Sequence, residues 1–281
     1  MQLTNKMSLP QTIVDAVNAD TYHQDGHISA TGLIQPPRQR QLYIRHKDLI
    51  VEDVSDRVWM LMGNNVHNIL ERADQKDGIQ EERLSIEVEG WKITGMADLY
   101  ANRWIYDYKM TSVWAVLNGV KPEWKIQLNC YAELFRQAGF EVEGLQIIAL
   151  LRDWSKHRVQ GNYPEKQVVA LPVDLWPADK IQDYLIERVK LHQAAEHLPD
   201  AELVMCTPEE RWSRAPKWAV KVKGNKRAKR VLDSESDALA WVWNNPGKKP
   251  LEVEYRQGED VRCESYCPVK QFCNKGESDV R

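Results

Sequence analysis

The stretch ITGMADLYANRWIYDYK, residues 93–109, constrains the fold more than any other part of the chain. Half-buried strand patterns run over 93–100 and 104–110 around the short polar break Asn102-Arg103, which reads as a hairpin. With Asn102 and Arg103 as the two loop residues, Ala101 pairs with Trp104, and counting back along both strands sets Asp98 opposite Asp107. The period of two places Lys109 on the same face.

Like charges facing each other across a strand pair repel, and this pair lies among Ile93, Met96, Leu99 and Ile105 rather than in a polar tract. A divalent cation is the economical counter-charge. Mg²⁺ and Mn²⁺ accept carboxylate oxygens and keep waters that a phosphate oxygen can replace. Lys109 then acquires a role, since an ammonium beside the metal can hold a phosphate and orient an attacking water. The alternative is an exposed ribbon with ordinary surface charges.

The flanking segments bear on that choice. Over 56–73, apolar residues at Trp59, Met62, Val66, Ile69, Leu70 and Ala73 predict a helix that buries one side, with His67 at the edge of the stripe. That histidine reads equally as a packed or solvated residue. Over 122–139, Pro122 and Gly139 are the start and stop signals of a second helix, with Trp124, Leu128, Tyr131 and Phe135 as its buried stripe. Gln127 and Tyr131 are one turn apart on it.

A helix with His67, a strand with Asp98, a strand with Asp107-Tyr108-Lys109, and a helix with Gln127-x-x-x-Tyr131 together resemble the RecB-like branch of the PD-(D/E)XK nucleases, over roughly residues 56–152. The resemblance implies an α/β fold: a restriction-endonuclease-like core with a central mixed β-sheet flanked by helices. It implies a Mg²⁺ or Mn²⁺ site at His67, Asp98, Asp107 and the Tyr108 carbonyl, with Lys109 assisting the water. Gln127 and Tyr131 would support the site and contact DNA. Two departures are Ala97-Asp98 in place of the "PD" dipeptide and Asp rather than Glu before x-Lys. Neither removes a ligand.

Three of the five cysteines crowd into RCESYCPVKQFC, as Cys263, Cys267 and Cys273. The chain begins without an apolar signal core and contains no run of eighteen apolar residues, so a reducing, cytoplasmic setting is expected, in a bacterium or a virus's host cell, with no membrane attachment. Reduced cysteines so spaced suggest metal ligands, and Cys206 is the natural fourth. The trio is similar to that of the cluster-bearing RecB-like nucleases, which implies a 4Fe-4S cluster in a small C-terminal subdomain. Structural Zn²⁺ is the alternative, because spacing does not separate the two. Cys130, inside the second helix, reads as a small buried hydrophobe.

The overall charge of −3, from 38 basic and 41 acidic residues, gives no hint of a polyanionic partner, but KWAVKVKGNKRAKR (217–230) holds seven Lys or Arg and no acid. It predicts a strand–turn–strand around Gly224-Asn225, followed by a helix after Asp233-Ser234. Lys221, Lys223, Lys226, Arg227, Lys229 and Arg230 could line a phosphate-tracking groove, with Trp212 and Trp218 either stacking bases or packing the subdomain. Arg38, Arg40 and Arg45 near Pro36-Pro37 suggest an entry arm against nucleic acid or the core. The resulting division is an arm over 1–45, a nuclease core over 46–200 and a basic, cysteine-bearing subdomain over 201–281. No Walker A pattern occurs, so any helicase activity would belong to a partner such as a recombination protein. The favoured function is a DNA exonuclease acting on single strands or ends. Structure-specific endonuclease cutting and an inactive DNA-binding module are the alternatives.

Overall fold

The computed structural model describes residues 1–19, 26–72, 78–247 and 249–274. The first elements are strand β1 (Gln2–Thr4), helix α1 (Gln11–Asn18), strand β2 (Ile28–Ser29), helices α2 (Ala30–Ile34) and α3 (Pro37–His46), strand β3 (Val51–Asp53) and the long helix α4 (Val54–Glu71). Asp53 starts α4 by accepting from the Ser55 N–H at 3.1 Å, the expected side-chain cap. Strands β4 (Gly78–Ile79), β5 (Arg83–Val88), β6 (Trp91–Met96), β7 (Leu99–Ala101) and β8 (Trp104–Thr111) follow. Helix α5 (Pro122–Gln137) then leads to β9 (Gly144–Leu151) and β10 (Val168–Val173), and helix α6 (Ala178–His197) packs against α5 and α3.

The hairpin register is the one the sequence dictates: Ala101 opposes Trp104 and Leu99 opposes Tyr106. Asn102 and Arg103 have φ of 51° and 64°, so the two-residue loop is a primed turn matched to the strand twist. The expected first strand over 93–100 is instead two. Its β6 part pairs with β5 and β2, its β7 part pairs with β8, and Ala97-Asp98 forms the corner between two sheets. One sheet runs β10-β9-β8-β7-β4, with β8 and β9 parallel and the other neighbours antiparallel; the other runs β2-β6-β5. A parallel neighbour for β8 requires a long return, which α5 supplies. The fold is therefore α/β around a mixed sheet.

Helix α5 keeps its predicted bounds: Pro122 stands at its first turn, and Gly139 adopts φ +91° just past its end. Leu128, Tyr131, Leu134 and Phe135 bury against the sheets, while Trp124 is half-buried. Cys130 is also buried, and burial pushes its thiol up to about 12, which suits an inert packing residue. Edge strand β10 carries no strong sequence signal because Pro172 interrupts its alternation, a residue tolerated only at an edge.

Helix α4 departs from its predicted packing. Trp59, Met62 and Ile69 are 58%, 41% and 58% exposed, since among the described residues the helix rests chiefly on α1 and β8, which cover less than its apolar stripe. Ala73, the last residue of that stripe, lies outside the described residues. The N-terminal segment also lies against the core, with Ile28 of β2 paired beside Ile93 and Leu33 fully buried.

The C-terminal part adds helix α7 (Pro208–Arg211) and strands β11 (Ser213–Arg214), β12 (Lys217–Val222) and β13 (Ala228–Leu232). Helix α8 (Glu235–Asn244) and strands β14 (Leu251–Arg256) and β15 (Glu259–Asp260) complete it. The predicted basic hairpin is β12–β13, and β14, absent from the sequence reading, closes the other side of β12. The cysteine tail returns to the body of the molecule. Val269 buries with Leu42, Ile50, Ala195 and Leu203, and the Phe272 ring stacks on His46 at 4.3 Å. Among the described residues no helix is long and apolar enough to cross a membrane.

Candidate active site and cysteine cluster

The corner at Asp98 gathers the site. Continuing the β7–β8 register by one pair sets Asp98 opposite Asp107, and Asp98 Oδ2 accepts the Tyr108 backbone N–H at 2.5 Å. Tyr108 thus enters the site here through its amide. On its other oxygen, Asp98 Oδ1 lies 3.2 Å from His67 Nδ1, brought in by α4. The hydrogen bond to Asp98 raises the His67 pKa, against the opposing effect of burial.

Asp107 is buried, and Lys109 Nζ stands 2.7 Å from its Oδ2. Burial raises the Asp107 carboxyl to about 6, with Lys109 pulling the other way and Asp98 adding to the rise. Despite the close ammonium, Asp107 Oδ2 receives no well-directed hydrogen bond. Lys109 Nζ also donates to Gln127 Oε1 at 3.3 Å, and Gln127 Nε2 donates to the Tyr131 hydroxyl at 2.8 Å. The one-turn spacing on α5 therefore makes a relay of polar contacts from Tyr131 through Gln127 and Lys109 to Asp107. Burial keeps the Tyr131 phenol protonated.

One residue of the site is new. The donor atoms of His67, Glu81 and Asp98 lie within 4.8 Å of one another, all three residues being half-buried. Glu81 sits in a polar stretch with no motif around it. The signal that finds it is non-local: Arg83 opposes Met96 at the end of β5, and the bend just before it, where Glu81 has φ 47°, carries Glu81 towards Asp98. Asp98 thus has an acid on either side, Glu81 from the bend before β5 and Asp107 from β8. These donors suit a hard divalent cation: oxygen and imidazole ligands, an excess of negative charge, and a buried carboxylate oxygen lacking a directed donor.

Two expected nucleic-acid contacts are corrected. Arg38 is 3% exposed and turned inward, where Nε donates to Cys273 Sγ at 3.3 Å and the other nitrogens bond Leu203 O and Asn274 Oδ1. Arg40 is also largely buried, beside the Trp91 ring and bonded to His27 O at 3.2 Å, with Glu196 at 3.8 Å. Both positions looked basic and solvent-facing because the sequence does not display partners as far as 236 residues away. Nor is the basic hairpin wholly unopposed. Lys221 pairs with Glu254 and Glu252 of β14, and Lys217 pairs with Asp233. Lys223, Lys226, Arg227, Lys229 and Arg230 stay exposed and form no ion pair among the described residues. Trp212 bonds Glu123 through its indole N–H at 3.1 Å, and Trp218 packs edge-on to Tyr255, so both indoles join elements together.

Cys206, Cys263, Cys267 and Cys273 come together. Burial pushes the Cys206 thiol up to about 11, with Glu210 and the charges of Cys263, Cys273 and Cys267 adding to the rise. None of the four is in a disulfide, and Cys273 Sγ accepts an N–H from the buried Arg38 guanidinium.

No protein-family profile and no curated protein matches the chain. Among solved structures it is similar to SSO0001, at 17% identity and a TM-score of 0.47 over 66% of this chain and 86% of that one. It is similar to a candidate exonuclease from Eubacterium rectale at 14% identity and a TM-score of 0.32, over 59% of this chain and 62% of that one. It is also similar to a phage-related exonuclease from Haemophilus somnus 129PT at 14% identity and a TM-score of 0.30, over 66% of this chain and 79% of that one.

Proposed function

We propose that the chain is a divalent-metal-dependent nuclease with a restriction-endonuclease-like PD-(D/E)XK core, hydrolysing DNA phosphodiester bonds as an exonuclease. The observation that carries this reading is the buried Asp107, facing Asp98 across the hairpin and tied through Lys109 to Gln127. A buried carboxylate beside a half-buried one calls for counter-charge, and with Lys109 and His67 in place one Asp107 oxygen still lacks a directed donor.

His67, Glu81, Asp98 and Asp107 would hold Mg²⁺ or Mn²⁺, which when bound supplies Lewis-acid activation of water and of the scissile phosphate. Lys109 is held on two sides, by Asp107 and Gln127, so its ammonium is already aimed when a phosphate arrives. Its remaining hydrogen-bonding capacity can take a non-bridging phosphate oxygen and align the water for in-line attack on phosphorus. The water oxygen forms the new P–O bond as the bond to the leaving oxygen breaks. Gln127 fixes the Lys109 rotamer, and Tyr131 fixes Gln127.

The cysteine quartet would hold a 4Fe-4S cluster, with Zn²⁺ as the alternative occupant, fastening the tail to α3 and the segment around Cys206. Exposed Lys223, Lys226, Arg227, Lys229 and Arg230 would meet the phosphate backbone, and unwinding would fall to a partner. The subdomain over 201–281 is proposed as the unit that carries these features.

End-labelled single- and double-stranded DNA with Mg²⁺ or Mn²⁺ tests the reading. Cleavage abolished by Asp107→Ala and by Lys109→Ala is expected, with product ladders giving polarity and separating end processing from internal cuts. An intact protein that binds DNA and cuts nothing with either metal would overturn it. Visible absorption and metal analysis of anaerobically purified protein distinguish iron–sulfur from zinc.

A further inference from the structure

The exposed stripe of α4 runs from the carboxylate site to a cationic edge. At one end His67 meets Asp98 at 3.2 Å; at the other the Arg152 guanidinium lies 4.3 Å over the Trp59 ring. Arg152 follows β9, and its N–H donates to Thr111 O at 2.9 Å, so it marks the far end of β8, the strand that carries Asp107 and Lys109. Two lengths agree. Eight helical residues from Trp59 to His67 span about 12 Å, and four strand residues from Asp107 to Thr111 span about 13 Å. Helix α4 therefore runs alongside β8, with Trp59 and Met62 exposed on the way.

The chemistry of the far end selects the occupant. Lys156 and Arg158, in the turn after Arg152, are exposed and, like Arg152, make no ion pair among the described residues. The neighbouring acid, Asp153, is engaged by the Val113 N–H at 2.7 Å. Protein interface cores are depleted of charge, whereas an open indole under a guanidinium, flanked by uncountered cations, offers a face for a base and charges for its phosphates. A duplex keeps its base faces stacked inside, so such a face is useful only to an unpaired strand. We infer that Trp59 and Arg152 form a stacking platform for single-stranded DNA entering the carboxylate site, an inference that rests on the nuclease reading above.

The test compares fluorescein-labelled oligo-dT with an abasic oligomer of equal length, bound in Ca²⁺ and followed by anisotropy, with thermal denaturation as the folding control. Trp59→Ala is expected to weaken oligo-dT binding by about 5- to 140-fold, the span of one base–aromatic stack, and to leave abasic binding unchanged. Trp59→Phe should retain most of the affinity, while Arg152→Ala should weaken both probes. Unchanged oligo-dT binding in Trp59→Ala, or an equal loss on both probes, overturns the platform. Parallel cleavage assays separate the two readings. Trp59-dependent oligo-dT binding by a protein that cuts nothing in Mg²⁺ or Mn²⁺ sinks the nuclease and keeps the platform. Full cleavage and binding by Trp59→Ala does the reverse.

Discussion

Gly95→Ala should damage both stability and chemistry, although Gly95 touches neither metal ligand nor lysine. A Cβ at Gly95 would sit 2.4 Å from Leu134 Cδ1 and 3.0 Å from both Tyr131 Cδ1 and Cε1. Carbon pairs rest at about 3.5–4.0 Å, so the Leu134 contact must open by roughly 1 Å. Leu134 and Tyr131 are 2% and 5% exposed, which leaves little space for either to move alone. The strain is expected to cost about 1–3 kcal/mol and to lift α5 from β6. Gln127 rides on that helix, and its 3.3 Å contact with Lys109 would open, lowering single-turnover cleavage about 100-fold. Urea denaturation and single-turnover kinetics read the two effects. Gly95→Ala/Leu134→Ala removes the tightest contact, so the double-mutant cycle should show a coupling of about 1 kcal/mol or more. A Gly95→Ala protein within about 0.5 kcal/mol of the parent, cutting at the parent's rate, would refute the reasoning.

Arg103→Gly should raise the urea midpoint: it relieves a non-glycine residue at φ 64°, worth about 1–2 kcal/mol, and loses only solvent-screened pairs with Glu141 and Glu143. His192 is fully buried and donates through Nε2–H to Leu33 O at 3.0 Å, with burial depressing its pKa to about 4. Because the unfolded chain binds this proton more readily, its contribution of about 3 kcal/mol is complete above pH 6.5 and lost as pH falls to about 4, and His192→Gln should flatten that decline in a pH series of unfolding curves. Arg38→Met leaves Leu203 O and Cys273 Sγ without their donor, so a loss of about 2–4 kcal/mol in urea denaturation is expected.

What the sequence displays and what it hides follow a physical division. The hairpin register was legible because a two-residue loop leaves one pairing once Asn102 and Arg103 are placed, and α5 was legible because Pro122 and Gly139 punctuate it. Gln127 and Tyr131 could be paired from helical spacing alone. Glu81 was hidden because its place depends on β5 pairing across the corner at Asp98. The inward turn of Arg38 depends on residues 203, 273 and 274, and the quieting of Lys221 on Glu252 and Glu254 of a strand that the local pattern did not announce. The α4 stripe misleads for a related reason. Periodicity states which residues share a face, not whether anything is there to cover them.

The bond from Arg38 to Cys273 also sets an order of assembly. Arg38 is made early, and its acceptor on the tail comes 235 residues later. The polar residues of the hairpin and α5 have left the ribosome long before that acceptor exists. Until the tail arrives, the guanidinium has only the Leu203 carbonyl to meet at its buried seat, and a buried charge so poorly satisfied favours an unseated α3. Cys273 and Asn274 thus supply the acceptors that let α3 seat, and a chain cut short before Cys273 should hold α3 more loosely.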